Sequence, residues 1–288
     1  MKRVIKVKDT IIIGGGPAGM SAAIYLRRFR KDVTVIMKDC GALGKTEVVE
    51  NYYGFNTIGG CELVKNGIEQ AKKLGVEIIE DEVINLSFDG NYVVKTSNNE
   101  YISKTVLLAT GSNRSKLRVK GFEEYVGSGI SFCAICDGFF YKNKKIAIIG
   151  NGKYMEEELN VLKQYTNDIL IFTNDTKIEV DVDFPVINSL IVELQGNEKL
   201  EKIITKDNEY FVDGIFVAMG TASASDFATK MGAEVSGNKI VVNAEHQTNI
   251  PGLYAAGDCI GGLLQISKAV SDGAVAATSI NKYLRSLS

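Results

Sequence analysis

The stretch Thr10–Met20, TIIIGGGPAGM, decides the fold. Ile11–Ile13 is an apolar run short enough for a buried parallel strand, and Gly14-x-Gly16-x-x-Gly19 follows without a break. An amphipathic segment runs on to Arg28, and Val33–Met37 supplies a second apolar run. Strand, glycine turn, helix and strand make a βαβ unit. In such a unit the first glycine forms the tight turn, the second admits a pyrophosphate, and the third lets the helix lie close on the strand. The context predicts dinucleotide binding by this first copy.

The same order recurs downstream. Ile146–Ile149, Gly150, Gly152 and Ile169–Phe172 align with the first copy without a gap. Met155 stands where Gly19 stood, and a long side chain there is expected to push the helix off the strand. The second strand ends in Thr173-Asn174-Asp175, with no arginine or lysine to receive a 2′-phosphate, which disfavours NADP and leaves Asp175 open to the ribose of NAD. The alternative is a unit kept only as scaffold. Two βαβ units predict an α/β fold of two Rossmann-like dinucleotide-binding-type domains, and 288 residues suit about two domains of roughly 150 each.

Composition narrows the partners. Against 35 acidic side chains stand 33 basic ones, so no charge excess points to nucleic acid or an anionic membrane. Thr10–Leu26 carries no charge, but its glycines and its length fall short of the roughly 20 apolar residues that span a bilayer. MKRVIKVKD lacks the apolar core of a secretion signal, so a cytoplasmic location is expected. Five cysteines are too few and too scattered for a secreted disulfide framework.

Only one cysteine pair is close in sequence. Cys133-Ala-Ile-Cys136 puts two thiols on one side of a helix, where they can bridge if the first lies near the helix N-terminus. Asp137 follows and is a candidate proton donor or acceptor for a leaving thiolate. The alternatives are half of a zinc site or two inert buried cysteines. No second CxxC or CxxH exists, and His246 is the one histidine, so no metal is expected and no Ser/His/Asp arrangement is possible. Cys40, Cys61 and Cys259 are expected to be ordinary thiols without partners.

An intact dinucleotide turn, a second βαβ unit and a CxxCD between them resemble the low-molecular-weight thioredoxin reductases over nearly the whole chain. Thr46-EVVEN-Tyr52 is similar to that family's flavin-contacting segment, Leu108-Ala109-Thr110-Gly111-Ser112 to its return strand, Phe132-CAICDGF-Phe140 to its redox disulfide, and Ile250-PGLYAAG-Asp258 to its ribityl-binding segment. The resemblance implies an FAD domain of residues 1–112 and 243–288, interrupted by a redox-disulfide domain of residues 113–242 on a degenerate nicotinamide-type fold. It places FAD against Gly14, Gly16, Pro17, Ala18, Gly19, Lys38, Gly44, Thr46, Asn51, Val83, Ala109, Thr110, Gly111, Gly257, Asp258, Gln265 and Ile266. Catalytic roles fall to Cys133, Cys136 and Asp137, with Cys136 facing the flavin and Cys133 attacking thioredoxin. A homodimer is also implied.

Met155 and the Thr173-Asn174-Asp175 tail depart from family members that use NADPH and are similar to the ferredoxin-dependent flavin thioredoxin reductases of clostridia, which take no pyridine nucleotide. On that likeness FAD is expected without NADPH, with ferredoxin as donor and thioredoxin as acceptor. The domains are then expected to rotate about hinges near Ser112–Lys116 and Val242–Glu245. An acidic ferredoxin would meet Arg27, Arg28, Arg30 and Lys31, or Arg114, Lys116, Arg118 and Lys120, unless these are simply solvated faces. Two rivals remain open: an NAD(P)H-dependent reductase, and a non-enzymatic flavin redox sensor.

Overall fold

The computed structural model describes residues 6–111 and 117–287. The chain divides into two compact units, Met1–Asn113 with Ser223–Ser288, and Arg114–Ala222. The first unit opens with β1 (Lys8–Ile13), α1 (Pro17–Arg28), β2 (Val33–Met37), α2 (Gly60–Lys73), β3 (Glu77–Glu80), β4 (Val83–Asp89), β5 (Asn91–Thr96) and β6 (Glu100–Leu108). The run VTVIM of β2 is buried at every position, as a strand covered on both faces requires. β3, β2, β1 and β6 pair in parallel, whereas β4 and β5 form an antiparallel hairpin on the edge of β6.

The second unit holds β7 (Ile130–Ser131), α3 (Ala134–Asp137), β8 (Ile146–Ile149), α4 (Lys153–Leu162), β9 (Ile169–Phe172), β10 (Val186–Ile187), β11 (Ile191–Gly196), β12 (Leu200–Thr205), β13 (Glu209–Phe211) and β14 (Gly214–Val217). Its parallel sheet runs in the order β10-β9-β8-β14-β7, and β11, β12 and β13 form an antiparallel sheet of their own. Met155 is accommodated rather than excluded. It is fully buried, and its Cβ lies 2.8 Å from the place where a Cβ on Gly150 would stand. Gly150 therefore yields the space that Met155 takes, and α4 keeps its seat.

The chain returns to the first unit through α5 (Ala224–Lys230), β15 (Val235–Ser236), β16 (Lys239–Ile240), β17 (Leu253–Ala255) and α6 (Ile266–Ser286). β17 pairs in parallel with Val106–Leu108 of β6, beyond the half that β5 uses. The return occurs at Ser223, upstream of the boundary at residue 243 expected from sequence. A capping box of Ser223 and Asp226 starts α5, which packs on β4 and β16. Nor is Val242–Glu245 a crossing between units: the Asn243 side chain accepts from the backbone of Glu245 and Gln247, each at 2.9 Å, and pins a turn inside the first unit. The other expected hinge, Ser112–Lys116, lies outside the described residues, as do Arg114 and Lys116. Among the described residues no helix is long and apolar enough to cross a membrane.

Small residues let α1 and α6 meet backbone to side chain. Ala22, Ala23, Ala276 and Ala277 are fully buried between or beside them, and a Cβ on Gly273 would stand 2.1 Å from the Ala18 carbonyl oxygen. Gly273→Ala must therefore part the two helices. The expected cost is about 2 kcal/mol, seen as a fall in melting temperature of roughly 4–8 °C.

Candidate active site

In the first unit the glycine turn is built by backbone contact. Gly14, at φ +115°, donates its N–H to the Ile36 carbonyl, and any Cβ on it would stand 2.3 Å from the Ala109 oxygen. A Cβ on Gly19 would come within 2.0 Å of the Gly14 oxygen, so the start of α1 lies directly on the turn. Gly16 differs: a Cβ there would meet nothing within 4 Å. It precedes Pro17 as the N-cap of α1, and no side chain caps that end. An uncapped helix N-terminus over open space suits a diphosphate.

The remaining expected flavin contacts gather in the same unit. Gly44 lies in the short turn Leu43–Lys45, and the Thr46 carbonyl accepts from Gly60 N–H at 3.0 Å. Asn51 and Gln265, far apart in sequence, are joined by a 2.9 Å amide hydrogen bond at the foot of α6, where Ile266 is the first helical residue. Thr110 and Gly111 continue from β6, and Val83 is buried at the start of β4. Lys38, at the end of β2, is an exposed cation paired with Glu82 at 3.0 Å.

Gly257 and Asp258 follow β17 in a loop held from behind. Asp272 on α6 accepts from Gly257 N–H at 3.0 Å and from the Lys268 ammonium at 2.7 Å; Lys268 also donates to the Gly257 and Gly261 carbonyls. His246 stands 3.6 Å from Asp272, and burial pushes its pKa below the ordinary histidine value despite that carboxylate. Nothing in the sequence pattern singled out this brace, because Lys268 and Asp272 on α6 meet His246 and the Gly257 loop only in the folded chain. The open turn, the amide pair and the braced loop together fit FAD.

In the second unit Cys133 and Cys136 are joined as a disulfide. Cys133 is the N-cap of α3, and its sulfur accepts from Cys136 N–H at 3.2 Å. Two buried groups fix this turn. Glu158 on α4 accepts from Ala134 N–H at 2.8 Å, and the Ser131 hydroxyl accepts from Cys133 N–H at 3.1 Å while donating to Asp137 at 2.6 Å. Asp137 is thus linked to the disulfide through Ser131, a residue that no motif in the sequence singles out. Cys136 is exposed and Cys133 buried, so direct attack by Cys133 on a protein disulfide needs the turn to move. Ile135, Phe139 and Phe140 are exposed around it. Among the described residues no cluster of His, Cys, Asp or Glu is placed to hold a metal ion.

The glycine turn of the second unit is closed by its own chain. The Asn151 amide donates to the Lys177 carbonyl at 3.0 Å, the Asn151 carbonyl accepts from Glu179 N–H at 2.8 Å, and a Cβ on Gly152 would lie 3.2 Å from a Glu179 carboxylate oxygen. Asn174 is turned inward as well, accepting from Ile191 N–H at 2.9 Å.

The comparisons with known proteins agree with this architecture. The family described as pyridine nucleotide-disulphide oxidoreductase matches residues 8–154 and 155–273. The chain is 33% identical to the thioredoxin reductase of Aquifex aeolicus, over 99% of this chain and 95% of that one. It belongs to the low-molecular-weight thioredoxin reductases. Among solved structures, the reductase is similar to the atypical thioredoxin reductase TRi from Desulfovibrio vulgaris Hildenborough, at 33% identity and a TM-score of 0.91, with 97% of this chain and 99% of that one covered. A ferredoxin-flavin thioredoxin reductase from Clostridium acetobutylicum gives 33% identity and a TM-score of 0.72, with 97% and 98% covered.

Two sets of variants test the site of this reductase. Gly16→Ala should leave the melting temperature of the flavin-free protein unchanged while weakening FAD at least about tenfold in a fluorescence titration, a loss of about 1.4 kcal/mol. Asp137→Asn should slow thioredoxin turnover about a hundredfold, and Ser131→Ala, which frees Asp137 without removing it, about tenfold.

Proposed function

We propose that the reductase takes electrons from reduced ferredoxin rather than from NADPH and delivers them through the Cys133–Cys136 pair to the disulfide of thioredoxin. The observation that carries the donor assignment is the closed turn of the second unit. A nicotinamide dinucleotide needs the space above that turn for its pyrophosphate, and here the segment Lys177–Glu179 takes it, with a carboxylate beside Gly152. A carboxylate at that point opposes a dianionic diphosphate. The Thr173–Asp175 tail adds no cation for a 2′-phosphate.

Gly14, Gly16, Gly19, Asn51, Gln265, Gly257 and Asp258 would hold FAD, which when bound supplies the conversion between single electrons and electron pairs. The chain's own residues do the rest. Reducing the disulfide takes two electrons and two protons, and Asp137, aimed by Ser131, is placed to give a proton to the departing thiolate. The dithiol then reduces thioredoxin by exchange: one sulfur attacks the thioredoxin disulfide, the other resolves the mixed disulfide, and thioredoxin leaves with two thiols. Exposed Phe139, Phe140 and Ile135 offer an apolar seat for a protein substrate beside the pair. For docking an acidic ferredoxin, Arg28, Arg30, Lys31 and Arg118 are candidate cations among the described residues, whereas Arg27 is hydrogen-bonded to the Lys31 and Leu74 carbonyls and Lys120 is paired with Glu193.

The driving force needs no pyridine nucleotide. A donor near about −400 mV and thioredoxin near about −270 mV differ by roughly 130 mV, or about 6 kcal/mol for two electrons. Rapid mixing of the flavin-loaded protein with excess NADPH should leave the flavin absorption unchanged over seconds, whereas reduced ferredoxin should support thioredoxin turnover that Cys136→Ser abolishes. Prompt bleaching by NADPH would overturn the donor assignment and favour the pyridine-nucleotide reading that the family description names.

A further inference from the structure

A second pair of sulfurs stands in the first unit, where the sequence led us to expect thiols without partners. Cys40 and Cys61 approach to 3.7 Å, Sγ to Sγ, and both are half-buried. Cys40 ends the loop that leaves β2, and Cys61 is the second residue of α2. The contact escaped the sequence reading because the intervening chain folds back on itself. Val49 and Ile58 pair as an antiparallel bridge, Gly60 donates to the Thr46 carbonyl at 3.0 Å, and a Cβ on Gly60 would stand 2.0 Å from the Leu43 oxygen. Gly44 lies so close on Cys40 that an added Cβ would be 2.5 Å from the Cys40 Cβ. The two sulfurs therefore close a loop that carries Gly44, Thr46 and Asn51.

We propose that Cys40 and Cys61 are a second redox-active pair, oxidised by a disulfide substrate, whose bond fastens the Gly44–Asn51 segment to α2. The pair stands on the sulfur geometry alone; its effect on the flavin rests on the reading of this unit as the FAD site. A disulfide bond of about 2.05 Å requires the sulfurs to close by roughly 1.7 Å, within reach of a side-chain rotation at two partly exposed positions. Cys61 lies in the first turn of α2, whose N-terminus no side chain caps, and that position assigns it the first attack. Cys61, as thiolate, attacks one sulfur of the oxidant, and the other leaves as a thiolate that takes up a proton. Cys40 then loses its proton, attacks the Cys61 sulfur of the mixed disulfide and expels the second thiol. Two protein thiols give up two electrons and two protons, and the oxidant disulfide becomes two thiols. Cys259 takes no part: it is fully buried against the Leu108 and Ala256 carbonyls, and burial pushes its thiol up to about 12.

The test uses the full-length, flavin-loaded protein carrying Cys133→Ser and Cys136→Ser, so that Cys40, Cys61 and Cys259 are its remaining thiols. Treatment with glutathione disulfide, and separately with oxidised thioredoxin, should remove two titratable thiols and yield a Cys40–Cys61 cross-linked peptide under non-reducing mass spectrometry. Flavin release, followed by its fluorescence, should slow about tenfold in the oxidised form, as a link across this loop predicts. Adding Cys40→Ser should stop the reaction at a mixed disulfide on Cys61. Three retained thiols, or glutathione on Cys61 without a cross-link when Cys40 is present, would overturn the pair. A cross-link with unchanged flavin release would overturn the fastening role. A protein that binds no flavin would sink the flavin reading, and the thiol count and peptide map would still decide the pair.

Discussion

The molecule depends on how closely a helix can approach the turn that feeds it. In the first unit the Gly14 carbonyl occupies the place where a Cβ of residue 19 would be, and the Ala109 carbonyl occupies that of residue 14. Those two contacts seat α1 on β1 and β6, and α1 in turn receives α6 through Gly273 and a layer of alanines. Any side chain at these glycines would open the sheet–helix interface that the parallel strands require for burial on both faces. Gly16 is the exception that carries chemistry, since its missing Cβ faces open space rather than protein.

The second unit repeats the frame with different contacts at its turn. Its turn gives space to Met155 below and to Lys177–Glu179 above, so the features that would cradle a phosphate now make internal contacts. The frame still serves the disulfide. α4 brings Glu158 to the N-terminus of α3, where a carboxylate accepting from Ala134 N–H fixes the start of the CxxC turn. The second unit thus serves as a rigid mount for the disulfide turn.

Much of this was legible in the sequence because it is local. Glycine spacing after an apolar run, the gapless repeat and the Cys-x-x-Cys-Asp run each report on a few consecutive residues whose backbone geometry is nearly forced. The α/β class and the family followed from them. The return crossing did not, because Ser223 and Asp226 form an ordinary-looking capping box, while the polar residues around Asn243 imitate a linker. The seating of α4 over Met155 did not follow either, because the sequence does not show that Gly150 yields to that side chain. Asp272 with Lys268 and His246, Ser131 behind Asp137, and Cys40 beside Cys61 all join positions that only folding brings together.

Those long-range contacts share one consequence: each holds a loop that the sheet itself does not. Asp272 and Lys268 tie down the Gly257–Gly261 backbone, Ser131 and Glu158 the disulfide turn, and Asn51 with Gln265 the entry to α6. Loops positioned by a rigid scaffold are where such folds put their chemistry, and buried charged or hydrogen-bonded braces set them more narrowly than apolar packing does. The Gly41–Gly60 segment is tied mainly within itself, by the turn bonds of Gly44, Lys45 and Thr46, the bridge at Val49 and Ile58 and the bond from Gly60 to the Thr46 carbonyl, and it reaches α6 through the amide pair at Asn51. A thiol pair at its two ends sits where a reversible bond would change the order of a ligand-facing loop most, and where the rest of the fold would feel it least.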